Sequence, residues 1–431
     1  FMCHAVYTTK LSPPQAYDVR RMNAYVRPAT VAEFTQKFMR TKLKIKSIKA
    51  VSVKQRQPAT NTPVRRDSWN KSAKRAMPIN MYSEFSRLPG RMPGGGLESV
   101  WVQVTAENGT WGLGQAAFGE PVATFVNKVI APVLEGRDCL AIEHLNDIIL
   151  RISQRFGTSG TASTAMGGVD LALWDLKGKI YDIPVYLLLG GPVRDSITCY
   201  ATGDDLDWAQ ELGFTKFKIT NPSHYSEGDA GIRAVVEHVT QARERVGTDH
   251  DLMINPVMSY NVEFALRLLE QLRPYNLRWF EEPLVPTDTE GLAHLRRSAP
   301  WVAIATGEDH HGRHAFLDLV EKHAVDILQP DFCWGGGMTE VWKTHIIGEA
   351  AGIATIPHGG AMTPFGQHFA MAATESPMAE FWLGTDPGVP LEEGVRIPGT
   401  PLPVNGQITP SSAPGFGMEF EPSDISDWQA N

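Results

Sequence analysis

Several things are scarce in this chain, and each shortage removes a class of protein. Four cysteines in 431 residues, Cys3, Cys139, Cys199 and Cys333, form no CxxC pair and no close spacing. That argues against a disulfide framework and for reduced, packed thiols in a cytoplasmic setting. No apolar run approaches the ~20 residues needed to cross a bilayer, so no membrane partner is expected. No Gly-rich dinucleotide turn follows an apolar strand, and no GK[ST] follows the glycines of 89–96, so a phosphate loop is set aside. Acids are nearly missing from one end. Residues 1–79 hold 17 Lys/Arg against 3 Asp/Glu, which leaves about −22 on the remainder of a chain whose net charge is −8. An acidic body with a basic end does not suit nucleic acid as main partner, but suits a small anionic one.

What is present points to a large two-part fold. The length allows two domains. Residues 1–43 read as a basic N-terminal extension, with a targeting segment as the open alternative. Residues 44–165 read as an α+β cap. In it, 45–53 is a strand, and 99–104 and 111–117 form a hairpin around Glu107-Asn108-Gly109-Thr110, a strong turn signal. Helical patterns follow at 120–134 and 142–155. The Arg-, Pro- and Gly-rich segment 55–97 is too long for an ordinary connection and reads as a lid.

From residue 166 to 385 the pattern changes to short apolar strands alternating with helices, among them 231–246, 261–273, 312–323 and 338–351. The last polar residues at successive strand ends are Lys218, Asn255, Glu281, Glu308, Asp331, His358 and Glu380, at gaps of 37, 26, 27, 23, 27 and 22. One βα unit of a barrel occupies roughly 25–30 residues, so this reads as a (β/α) barrel of the modified TIM type beneath an α+β capping domain. The Pro- and Gly-rich tail, 386–431, is expected to return to the cap.

Chemistry sits at those strand ends. The carboxylates of Glu281 and Glu308 and the amide oxygen of Asn255 are hard donors, suited to Mg²⁺. Asp331 and His358 end adjacent strands, where a carboxylate would orient the imidazole and make His358 a general base. Lys216 and Lys218 share one strand face. Lys218 is either a second acid/base of lowered pKa or a counter-ion for the metal-site carboxylates. Of His310, His311 and His314, only His310 is a candidate to line the site. Together these residues suit one task, removal of a proton alpha to a carboxylate.

On these residues, with the helix Val169-Asp170-Leu171-Ala172-Leu173-Trp174-Asp175, residues 44–420 resemble the enolase superfamily, in its mandelate-racemase-like, acid-sugar dehydratase branch. Short runs such as Tyr200-Ala201-Thr202-Gly203 and Gly228-Asp229-Ala230-Gly231-Ile232-Arg233 look closer still to the L-rhamnonate dehydratases within it. The resemblance implies that Asn255, Glu281 and Glu308 hold Mg²⁺, that His358 is the base oriented by Asp331, and that Glu380 contacts the substrate carboxylate. It also implies a substrate-binding arginine in the cap loop, Arg87 or Arg91, and a homo-oligomer. The implied reaction is dehydration of an aldonate to its 2-keto-3-deoxy acid, with L-rhamnonate first among substrates. Two departures keep alternatives open. The family's first metal ligand is an aspartate where this chain has Asn255, which would suit a weakened, binding-only protein. The paired lysines resemble those of racemases, which would suit a racemase or epimerase.

Overall fold

The computed structural model describes residues 42–54, 61–85 and 99–429. The described residues from Leu43 onward belong to one compact unit, and residues 1–41 of the basic extension, the 89–96 glycine run, Arg87 and Arg91 lie outside the described residues.

The cap is built on β1 (Ile45–Val53), β2 (Val100–Ala106) and β3 (Trp111–Ala116), paired antiparallel. The Asn-Gly signal is realised as a tight turn in which Gly109 takes φ +85°, a conformation that costs a Cβ-bearing residue more than glycine. Val100, Val102 and Val104 face a core filled by the helical stretch 119–134 and the helix Ile142–Ser153. Trp101 points the other way and meets Phe420 of the tail edge-on at 5.4 Å. Strand alternation thus gives one sheet two buried faces.

A 21-residue helix, Thr161–Tyr181, joins cap to barrel. It lies flush on β3 because Gly112 and Gly114 carry no side chain there. A Cβ at either would stand 2.2 Å from the Ala172 carbonyl or 2.1 Å from that of Gly168. Residue 166 falls inside this helix, so the sequence boundary between cap and barrel is a continuous rod rather than a linker.

The barrel strands are β4 (Ile197–Thr202), β5 (Lys216–Thr220), β6 (Asp251–Asn255), β7 (Trp279–Glu281), β8 (Ala303–Thr306), β9 (Ile327–Leu328), β10 (Ala354–Thr355) and β11 (Ala379–Trp382). They run parallel in the spatial order β11-β4-β5-β6-β7-β8-β9-β10, and the short β12 (Gln407–Ile408) adds antiparallel to β4. Between β10 and β11 the link is made outside the paired residues, where Thr355 N–H donates to Glu375 O and Ala361 N–H to Glu380 O. The helices Gly228–Val246, Val262–Leu272, Gly312–Glu321 and Gly337–Ala350 match the periodic segments of the sequence within three residues. Three of the outer helices start at side-chain-capped positions, with Asn261 accepting from Phe264 N–H, Asp288 from Gly291 N–H and Thr363 from Gly366 N–H. In the tail, β13 (Ile425–Asp427) pairs antiparallel with β1.

Outward strand residues such as Phe217, Ile254, Phe280 and Ile304 pack under the helices, each large one contributing about 1.5–3 kcal/mol by burial. Inward residues Tyr200, Met253, Trp279, Ala305, Ile327 and Ile356 form a plug inside the barrel. That plug is the floor of the site. No helix among the described residues is long and apolar enough to cross a membrane.

Candidate active site

Above the plug, a cavity of about 170 Å³ opens at the C-terminal ends of the strands. Lys218, Asn255, Glu308, His358 and Glu380 line it, together with Thr202, Thr220, Arg75 and Trp382. Alternation along β5 explains Lys218, since Phe217 and Ile219 turn outward to the helices and leave the lysine inside. Its ammonium is 2% exposed and sits between Glu281, which its Nζ touches through Oε1, and Glu380, whose Oε1 is 2.8 Å away. Burial alone would lower its pKa, but the two carboxylates overcome this and raise it well above the ordinary value. Both contacts are ion pairs with buried carboxylates.

Glu380 accepts from Thr202 Oγ1 at 2.6 Å and from the Gly359 amide at 2.8 Å. Burial pushes its pKa up, yet Lys218 and His358 outweigh that and hold it at about 2. Glu380 is thus an ionised acceptor at the cavity wall, engaged by Lys218, Thr202 and the Gly359 amide.

His358 and Asp331 meet at the cavity wall. His358 Nδ1 lies 2.9 Å from Asp331 Oδ2, and Asp331 is itself fixed by the amides of Cys333 and Trp334, each donating to Oδ1 at 2.7 Å. The Trp334 ring backs the imidazole at 5.1 Å. With Nδ1 committed, Nε2 is the working nitrogen, and it lies 3.7 Å from Glu308 Oε2. Burial works against the imidazolium, but Glu308, the Asp331 bond and Glu380 raise the His358 pKa to about 10. Burial raises Glu308 in turn, to about 7, with His358 and Lys218 opposing.

The three expected metal donors are arranged differently from a simple triad. Asn255 and Glu281 meet, but as a hydrogen-bonded pair. Asn255 Nδ2 donates to Glu281 Oε1 at 2.9 Å, while Asn255 Oδ1 accepts the Val257 amide at 2.7 Å. The other Glu281 oxygen accepts from Trp279 Nε1 and Gln329 Nε2, both at 2.8 Å. The acids whose oxygens converge are Glu282, Glu308 and Asp309, within 4.8 Å of one another. Both Glu282 oxygens are buried without a hydrogen-bond partner among the described residues. Burial and the neighbouring acids raise the Glu282 pKa well above the ordinary carboxylate value, a charge crowding that a divalent cation such as Mg²⁺ held by these hard oxygens would relieve.

His310 does not reach the cavity. Its ring is 5% exposed and packs against Phe316, with centroids 5.9 Å apart. Burial, with His311 adding, lowers its pKa to about 4. Sequence reasoning missed Arg75, which lines the cavity with its Nε buried and unpartnered among the described residues. The segment 61–85 that carries it is not structureless. Asp205 anchors it by accepting from Ser68 Oγ, the Trp69 amide and Asn70 Nδ2, and the Ala76 amide donates to Asn221 O at 2.9 Å.

A parallel barrel with a dyad and converging acids at its strand ends, roofed by an α+β cap, defines a class, and comparison with known proteins agrees. Residues 204–424 match the enolase C-terminal domain-like family, and residues 95–190 match the N-terminal domain of mandelate racemase and muconate lactonizing enzyme. The chain belongs to the enolase superfamily. Among individual relatives, it is 38% identical over 351 residues to L-rhamnonate dehydratase of Saccharopolyspora erythraea, covering 80% of this chain and 89% of that one. It superposes with a TM-score of 0.81 on rhamnonate dehydratase of Gibberella zeae complexed with Mg, at 30% identity, covering 90% and 96% of the two chains. The 3,6-anhydro-D-galactonate cycloisomerase of Zobellia galactanivorans is similar at a TM-score of 0.69 and 25% identity, covering 87% and 96%.

Proposed function

We propose that this chain dehydrates an acid sugar, an aldonate for which L-rhamnonate is the first choice, to the 2-keto-3-deoxy acid with the help of Mg²⁺. The observation that carries the reading is the Asp331–His358 dyad at the cavity wall, with Nδ1 held and Nε2 left for chemistry. Glu308 and Asp331 hold the His358 pKa at about 10, and a cation on Glu308 would lower it, so that the neutral Nε2 can take the proton at C2 while Asp331 stabilises the imidazolium so formed. The same imidazolium returns its proton to the 3-hydroxyl, which leaves as water, and the resulting enol tautomerises to the keto acid. Lys218 supplies a fixed positive charge beside the cavity, where negative charge grows on the substrate carboxylate. Arg75 supplies a second cation at the wall, suited to a carboxylate or hydroxyls of the sugar acid. Glu308 and its acidic neighbours would hold the Mg²⁺, which when bound adds electrostatic stabilisation of that same carboxylate.

The racemase alternative needs a second base opposite His358. Lys218 is the group at hand, and its two carboxylate partners favour the protonated ammonium, which supports elimination over racemisation. Incubating the protein with Mg²⁺ and a panel of aldonates, and assaying 2-keto acid, tests the proposal. Deuterium entering recovered substrate with no loss of water would favour the racemase. No turnover of any member would favour a binding-only protein.

A further inference from the structure

We infer that Trp382 determines specificity in this site. Its ring receives the far, unreacting end of the sugar acid and favours a chain that ends in a methyl group over one that ends in hydroxymethyl. This selection rests on the reading of the cavity as an aldonate site, and names the part of the aldonate that is selected.

Strand alternation puts the ring there. Along β11, Ala379 and Phe381 turn outward under the helices, where Phe381 stacks on Phe214 with centroids 6.1 Å apart. Glu380 and Trp382 therefore share the inner side. Trp382 lies two residues on, roughly 6.6 Å further toward the mouth. It lines the same cavity, opposite no helix, with Thr202 of β4 as its register partner. Lys218, Glu308, His358 and Glu380 are the ionic groups that meet the reacting carbons. Among the remaining lining residues, Ala76, Val257 and Trp382 are apolar.

Trp382 also differs from the other tryptophans of the chain. Of the eleven, each of the others has an aromatic, cationic or hydrogen-bonding partner for its ring. Trp382 has none among the described residues, and is 40% exposed. A large apolar ring left open in a concave, polar site is a surface for a ligand, and an indole face packs well against C–H groups.

The neighbouring polar groups decide which end of the ligand suits it. Thr202 donates its hydroxyl to Glu380, and Thr220 donates to Asp204. Asn221 donates to the carbonyls of Ser223 and Pro256 while accepting from the Tyr260 hydroxyl. These donors are committed to the protein. Arg75 keeps a buried, unpartnered Nε, and an aldonate already brings it the hydroxyls of C4 and C5. A hydroxymethyl end laid on the indole loses water without gaining a partner, whereas a methyl end gives up no hydrogen bond.

L-Rhamnonate and L-mannonate differ only by the hydroxyl that the second carries on C6, so the pair isolates the terminal group. In the parent with Mg²⁺, kcat/KM should favour L-rhamnonate by about 10- to 100-fold. Trp382→Phe should keep most of that preference. Trp382→Ala should raise KM for L-rhamnonate about tenfold or more, change kcat less, and bring the two aldonates within about threefold of each other. Both variants should retain the parent's circular dichroism spectrum. Calorimetry of each aldonate binding to His358→Asn, with and without Trp382→Ala, reads the same preference without turnover. A parent ratio near one overturns the assignment, as does a preference that Trp382→Ala leaves intact. Binding that favours L-rhamnonate and loses the preference in Trp382→Ala, with no aldonate turned over by the parent, would sink the dehydratase reading and leave the Trp382 subsite standing. No binding of either aldonate would sink both.

Discussion

Replacing Lys218 by methionine isolates the strongest electrostatic feature of the barrel. The ammonium is 2% exposed, and its partners Glu281 and Glu380 are 3% and 4% exposed, so water cannot substitute for it. Methionine fills most of the volume but leaves two buried carboxylates side by side. Removing one partner of a buried pair costs about 3–5 kcal/mol, and here two acids lose the same cation. Glu281 keeps three hydrogen-bond donors and Glu380 keeps Thr202 and Gly359, which places the loss inside that range rather than above it. The pH dependence gives a second check. In the parent, Glu380 has a pKa of about 2, below its ordinary 4.5, so its contribution is fully present above 4.5 and is lost as pH falls toward 2. Without Lys218 the buried carboxylates take up protons more readily, so the parent's advantage is largest near neutrality and narrows as pH falls. Urea unfolding of Lys218→Met and the parent from pH 8 to 4 reads both quantities, and Lys218→Met/Glu281→Gln should recover part of the loss. A cost under about 1 kcal/mol, or a gap that widens in acid, would refute the reasoning.

Other perturbations follow from the same geometry. Asp331→Asn removes the group that orients His358 and favours its charged form, so kcat should fall about 10²–10⁴-fold, and the His358 resonance in NMR should titrate below about 10. Equal kcat in the two proteins would contradict the dyad. Arg75→Met should raise KM for a sugar acid more than it lowers kcat, while thermal stability stays near the parent's, and an unchanged KM would remove Arg75 from the site. Gly114→Ala drives a methyl group to 2.1 Å from the Gly168 carbonyl and should cost about 1–3 kcal/mol or more in urea titration, whereas Gly109→Ala meets no neighbour and should cost only its backbone strain.

The fold was largely readable because it rests on patterns that repeat along the chain. Each strand end delivers one polar residue, and the intervening helices bury one stripe, so Asn255, Glu308, Asp331 and His358 were placed by spacing alone. Asn108-Gly109 marked the hairpin through local chemistry. Other features depend on directions that spacing does not encode. Whether Asn255 offers its oxygen or its nitrogen to the site is decided by the Val257 amide. Glu281 and Glu282 differ by one residue and by the sign of φ, which sends one carboxylate to the barrel wall and leaves the other unpartnered. His310 follows Glu308 by two residues, yet packs behind it against Phe316. Arg75 was hidden because its segment has no periodicity and is located by groups far along the chain, among them Asp205, 130 residues later, and Asn221. Asp205 sits just past β4.

The central claim is that His358 removes the alpha proton of an aldonate and that water is then lost. Mass-spectrometric detection of the 2-keto-3-deoxy acid from L-rhamnonate and related aldonates in D₂O with Mg²⁺, for the parent and His358→Asn, measures it most directly. The account predicts product carrying one solvent deuterium at C3 from the parent and none from His358→Asn. Product formed equally by both proteins, or no keto acid from any aldonate, would contradict it.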